Sequence, residues 1–190
     1  MKYQEATRRL ADHRQRIAAL RAEMREIQDT IEPQEVADYR FSTLDGDVPL
    51  SALFAGKRDL FVIHNMGTTC AYCTLWADGF NGAYDHLASR AAFVVSSPDT
   101  PSVQKRFADS RGWRFPMVSH RNTDFAHDMG YGTPDGGWTP GVSVFRRDDA
   151  RIVRVSDTGM QPGDAFCAAW HFFDLLPGGS GDWQPRFAYG

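Results

Sequence analysis

Long apolar runs are missing from this sequence. No stretch approaches the ~18–20 consecutive apolar residues that a membrane-spanning helix requires. No apolar segment follows the charged opening Met1-Lys2-Tyr3-Gln4-Glu5 either, so neither a membrane anchor nor a secretory leader is expected, and a cytoplasmic location is. Cysteine is scarce: Cys70, Cys73 and Cys167 are too few for a disulfide scaffold. An excess of one charge is lacking as well, with 21 Lys and Arg against 24 Asp and Glu and a net charge of -3. That balance excludes a general nucleic-acid binder, which needs a basic surface. No glycine signature of a phosphate-binding loop or a dinucleotide fold occurs, and no internal repeat is visible. What is present is ordinary globular material, 42% hydrophobic and 24% charged over 190 residues, enough for one domain with a proper core.

Residues 2–31 read as one long helix. Tyr3, Ala6, Leu10, His13, Ile17, Leu20, Met24, Ile27 and Ile31 are spaced alternately by three and four, a heptad seam of about four repeats. His13 is read as a polar residue that sets the register of that seam. At ~1.5 Å per residue the helix is about 40 Å long, more than a small core can cover. Part of the seam is therefore expected to meet a second subunit, with folding back along its own domain as the alternative. Beyond Pro33 the pattern changes to alternating strands and helices. Strands are expected at 39–44, 59–65, 91–96 and 117–119, and helices at 70–89 and 102–110. A hairpin of 141–146 and 151–155 turns at Asp148-Asp149, and a closing helix covers 164–176. This order suits an α/β domain with a central sheet flanked by helices. Three parts are expected: 1–32 as a helical dimerisation arm, 33–176 as the domain, and 177–190 as an irregular tail packed on it.

Cys70 and Cys73 stand where an apolar strand gives way to a helix. The unpaired N–H groups and the positive end of the helix dipole favour a thiolate there. Residues three apart share a helix face, so a disulfide formed at Cys70 can be attacked by Cys73. Cys70 is thus the expected nucleophile and Cys73 the resolving thiol.

A strand, C-x-x-C and helix within a βαβ unit resembles the thioredoxin-like superfamily. The segments 70–82 (CAYCTLWADGFNG), 112–116 (GWRFP), 140–145 (PGVSVF) and 170–178 (WHFFDLLPG) resemble, more closely, a bacterial thioredoxin-like family of uncharacterised function related to the thioredoxin and peroxiredoxin superfamily. The resemblance implies a thioredoxin-like central mixed sheet. It also implies a cis-proline facing the cysteines, placed on Pro140, with Thr139 and Pro140 shaping the substrate edge. Phe41 to Gly46 and Leu50 to Phe54 resemble the start of peroxiredoxins. Those enzymes carry a Thr or Ser three residues before the reactive Cys, whereas this chain has Gly67 there and no Pro in 65–69; a hydroxyl of Thr68 or Thr69 would have to substitute.

Thiol–disulfide exchange on a protein or small-molecule thiol or disulfide is the leading expectation, with no cofactor and no nucleic-acid or membrane partner. Thiol peroxidase and a redox-inert binding or sensor module are the alternatives. Tyr72 and Trp76 are candidates for an apolar docking surface, and His64, Thr69 and Asp78 for groups that tune the thiols. Zinc held by Cys70, Cys73, Cys167 and His171 is the competing use of the motif; no metal is assigned.

Overall fold

A computed structural model describes residues 1–149 and 151–190. The chain divides into two units, Met1–Pro33 and Gln34–Gly190. The first is essentially helix α1 (Tyr3–Asp29), none of whose side chains is buried. Neither Gly nor Pro interrupts it, and Pro33 follows its end.

The second unit is built on an eight-stranded mixed sheet. Its strands are β1 (Gln34–Val36), β2 (Arg40–Thr43), β3 (Gly46–Pro49), β4 (Asp59–His64), β5 (Ala92–Ser97), β6 (Met117–Ser119), β7 (Gly141–Asp148) and β8 (Arg151–Gly159). Their order across the sheet is β1-β8-β7-β4-β5-β6-β2-β3. Parallel pairing is confined to β4 with β5 and β5 with β6, the strands joined by helical crossovers. Elsewhere the pairing is antiparallel, including the β7–β8 hairpin, whose register slips by one residue between Val144 and Phe145. The short strands β1 and β3 were not visible in the sequence; three or four residues are too few to show alternation.

Helices α2 (Leu50–Leu53), α3 (Ala71–Arg90), α4 (Pro101–Arg111), α5 (Phe125–Asp128) and α6 (Ala168–Phe173) flank the sheet. Strand alternation divides the core in two. Phe61 and Ile63 of β4 face a cluster containing Cys73, Trp76, Phe80, Trp113 and Trp170. Leu60 and Val62 face the opposite cluster, with Phe41, Leu50, Phe125 and Phe145. Thus α3, α4 and α6 cover one face, and α2 and α5 the other.

Local rules account for several boundaries. Pro101 opens α4, and Gly112 closes it at φ +67, in the left-handed region that suits glycine. Although Gly79 and Gly82 are weak helix formers, α3 runs unbroken through them. The closing helix is shorter than expected. Asp164 accepts hydrogen bonds from the N–H groups of Gln161 and Phe166 at 3.0 and 2.8 Å, which holds 161–166 in a turn, and regular helix begins only at Ala168. No helix among the described residues is long and apolar enough to cross a membrane.

Candidate active site

Strand β4 ends at His64, and residues 65–69 carry the chain to α3. Asn65 makes two bonds in this loop. Its N–H donates to Ser96 O at 2.9 Å, and its side-chain oxygen accepts from Gly67 N at 2.8 Å. Gly67 sits at φ +102, with Asp99 Oδ2 only 2.8 Å from where a Cβ would be, so glycine is required on both counts. The Asp99 carboxylate then accepts from Thr68 N at 2.8 Å. Asn65, Gly67 and Asp99 fix the approach to Cys70; sequence reasoning passed over Asn65 and Asp99, and noted Gly67 only as the missing hydroxyl of the peroxiredoxin motif. The signal available was an Asn and a Gly two residues apart just past the end of a buried strand.

Cys70 is the N-cap of α3. Its sulfur accepts the backbone N–H of Cys73 at 3.0 Å, as a capping side chain does. Its own carbonyl accepts from both the N–H and the hydroxyl of Thr74, each at 3.0 Å. Neither Cys70 nor Cys73 is disulfide-bonded; Cys70 is half-buried and Cys73 buried. The thiol hydrogen bond from Cys73, then the N–H groups of Cys73 and Tyr72, draw Cys70 down to about 7 against the opposing effect of burial. Cys73 is pushed well above the usual thiol range, first because its S–H donates to Cys70 and second because it is buried. Of the two sulfurs, Cys70 is therefore the one that ionises first, while Cys73 keeps its proton.

The other sequence candidates scatter. Tyr72 is half-buried, stacked on Trp170 at 6.2 Å and tilted against Trp76 at 6.4 Å. Trp76 is 3% exposed and donates its indole N–H to Asp164 at 3.2 Å, so it is a core residue and not part of a docking surface. Asp78 does not reach Cys73. Its carboxylate is engaged by the guanidinium of Arg111 and by the indole N–H of Trp113 at 2.8 Å. Thr69 is exposed at the turn before Cys70.

His64 lies on the wrong face to touch the thiols. It shares strand parity with Leu60 and Val62, stacks on Tyr131 at 3.7 Å and bonds Ser143 Oγ through Nε2 at 2.9 Å. Burial, then the nearby His120, hold it neutral, with its pKa lowered to about 3. His120 is buried on the same side, bonded through Nδ1 to Ser96 Oγ at 2.9 Å, and lowered to about 4 by burial and then His127.

Thr139 and Pro140 stand just before β7. Strand β7 begins at Gly141, paired with His64 at the end of β4. The Thr139–Pro140 bond is trans, however, and no cis peptide occurs among the described residues. The segment is instead tied by Thr139 N–H to Tyr131 O and Met160 N–H to Pro140 O, both at 2.9 Å. The Thr139 N–H is thus already used within the fold. Cys167 is buried at the start of α6 whereas His171 is exposed, so this i, i+4 pair does not converge on one point. Among the described residues, no group of three or more His, Cys, Asp or Glu is arranged to hold a metal ion.

The chain belongs to a family described as bacterial protein of unknown function (DUF899), whose model matches residues 2–187. No curated protein matches the sequence. Among solved structures it is similar to a mutant of peroxiredoxin Q from Xanthomonas campestris, at 16% identity and a TM-score of 0.54 over 64% of this chain and 80% of that one. Reduced Prx3 from Vibrio vulnificus aligns at 16% identity and a TM-score of 0.57, covering 70% and 89%. Peroxidoxin BcpB from Mycobacterium tuberculosis aligns at 21% identity and a TM-score of 0.55, covering 72% and 88%. At such identities the likeness is one of fold: a thioredoxin-like mixed sheet with flanking helices, here with a long N-terminal helix.

Proposed function

We propose that this protein is a thiol–disulfide oxidoreductase, with Cys70 as nucleophile and Cys73 as resolving thiol. The observation that carries this reading is the capped sulfur of Cys70, half-buried at the head of α3, hydrogen-bonded by Cys73 and drawn to about 7. Near neutral pH such a thiol is substantially ionised, and it remains basic enough to attack. The Cys70 thiolate attacks one sulfur of a substrate disulfide, forming a mixed disulfide and releasing the other sulfur as a thiolate. That leaving thiolate takes up the proton held by Cys73. The Cys73 thiolate then attacks Cys70, breaking the mixed disulfide and releasing the second substrate sulfur as a thiolate, which takes a proton from water. The substrate gains two electrons and the protein is left with a Cys70–Cys73 disulfide. Thr139 and Pro140, beside the end of β4, supply an edge for the substrate chain, and Tyr72 supplies apolar surface. Residues 1–32 serve as a dimerisation element.

The peroxiredoxin-like fold favours thiol peroxidase as a second reading, in which peroxide oxidises Cys70 to a sulfenic acid. Gly67 counts against it, because its place in that motif belongs to a hydroxyl residue. A titration in defined thiol–disulfide buffers, with mass spectrometry locating the bond, tests the first reading. The expected result is a reversible Cys70–Cys73 disulfide with a potential in the ~-270 to -120 mV range of known oxidoreductases. Exchange is expected to vanish in Cys70→Ser, and Cys73→Ser is expected to stall as a mixed disulfide. Cysteines that stay reduced throughout sink the reading, and sulfenic acid at Cys70 under dilute peroxide, without exchange, moves it to the peroxidase.

A further inference from the structure

The distribution of charge along α1 runs the wrong way for a helix standing alone. Residues 2–16 carry five basic side chains (Lys2, Arg8, Arg9, Arg14, Arg16) and two acidic ones (Glu5, Asp12). Residues 17–32 carry two basic (Arg21, Arg25) and four acidic (Glu23, Glu26, Asp29, Glu32). A helix is positive at its N-terminus and negative at its C-terminus; Glu5 offsets the dipole in the first turn, but the basic side chains that follow it and the acidic second half run against the dipole. The last turn has no basic residue, and no side chain caps the first. Alongside this polarity runs an apolar seam left open to solvent: Leu10, Ile17, Leu20, Met24, Ile27 and Ile31 are 47–67% exposed.

We infer that α1 pairs with α1 of a second copy of this chain, and that the pair is antiparallel. In that arrangement the basic half of each helix lies against the acidic half of the other, and each dipole end meets the opposite end of its partner. The register that seats Ile17 against the partner's Leu20 and Leu10 against the partner's Ile27 also sets Arg16 beside the partner's Glu23. The parallel alternative is disfavoured by the same sequence. In a parallel heptad pair, Arg9 flanks the partner's Arg14 and Arg16 flanks the partner's Arg21, which sets like charges together on both sides of the seam. Antiparallel pairing covers the seam as fully and replaces those repulsions by the Arg16–Glu23 pair, formed twice, leaving Arg14 beside the partner's Arg21 as its like-charge contact. This inference concerns the first unit alone and does not depend on the thiol chemistry.

The test uses the full chain. Sedimentation gives the mass, and nitroxide labels at Gln4→Cys or Ala18→Cys, each in a Cys70→Ser background, give the distance between copies. A dimer is expected, with the labels at position 4 about 40 Å apart at 1.5 Å of rise per residue, and those at position 18 close together. Leu20→Asp is expected to give a monomer, and Arg16→Glu to weaken the dimer. A monomeric wild type overturns the pairing, as does a Leu20→Asp variant that remains dimeric. Short distances at both positions, or a dimer strengthened by Arg16→Glu, establish parallel pairing and overturn the orientation.

Discussion

The two faces of the sheet handle titratable groups in opposite ways. On the α3 face, Cys70 sits half-exposed at a helix end, where N–H groups and a neighbouring thiol stabilise its charged form. On the α5 face, His64 and His120 lie within an aromatic cluster where burial enforces their neutral forms. Cys70 follows His64 by six positions in sequence, yet His64 points to the α5 face of β4 while Cys70 caps α3 on the other side of the sheet. Nearness along the chain is a poor guide to which group tunes which. The face settles it.

Acidification is the largest expected test of this contrast. His64 and His120 have pKa values of about 3 and about 4 in the fold, below the ordinary 6.5, so the unfolded chain binds more protons in that window. The stability they confer is complete above pH 6.5 and lost as the pH falls toward 3. Cys70 behaves alike in sign but elsewhere in range. Its value of about 7 lies below the ordinary 9.0, so its contribution is complete above pH 9 and lost as the pH falls through 7. Chemical denaturation across pH 3–10 is therefore expected to show two separate limbs, with Cys70→Ser removing only the alkaline one. A single limb unaffected by that substitution would erase the distinction between the faces.

Next in size is Phe125→Ala, which hollows the α5 face where Phe125 is fully buried against Phe41 and Phe145. It should cost about 3–5 kcal/mol in urea unfolding. The Cys70 thiolate, followed by its ultraviolet absorbance, should still titrate near 7, since that shift arises on the other side of the sheet. Smaller in stability, but on the thiol face itself, is Gly67→Ala. The φ of +102 and the contact with Asp99 make any Cβ unwelcome, and about 1–3 kcal/mol is expected. Here the thiolate midpoint should move as well, because the loop leading to Cys70 must shift. Absorbance titration of the two variants side by side reads the difference directly.

Much of this was legible in the chain itself. The strands 59–64 and 92–97 and helix 71–90 announce themselves by apolar runs and period, and the C-x-x-C at the strand-to-helix junction places the thiols. The roles of side chains around the site were not legible. Asp78 looks like a proton acceptor until Arg111 and Trp113, more than thirty residues away, claim its oxygens. Trp76 stands close enough to the thiols in sequence to be a candidate docking aromatic, but it is buried and gives its N–H to Asp164. Pro140 resembles a cis-proline in its sequence setting, yet backbone bonds to Tyr131 and Met160 hold the segment in place around a trans bond. Such assignments depend on long-range partners, and local pattern carries no record of them.

Cys73 is 2% exposed whereas Cys70 is only half-buried. A bond between the two would offer an incoming reductant a single point of entry, because only the Cys70 side admits a colliding nucleophile in line with the S–S axis. Electrons would then enter and leave through one atom, and every covalent intermediate would be tethered there. On the proposed exchange reading, the accessible end of the pair would work as a gate with one door: bulky thiols would be filtered by the approach to Cys70 alone, in both directions of the reaction.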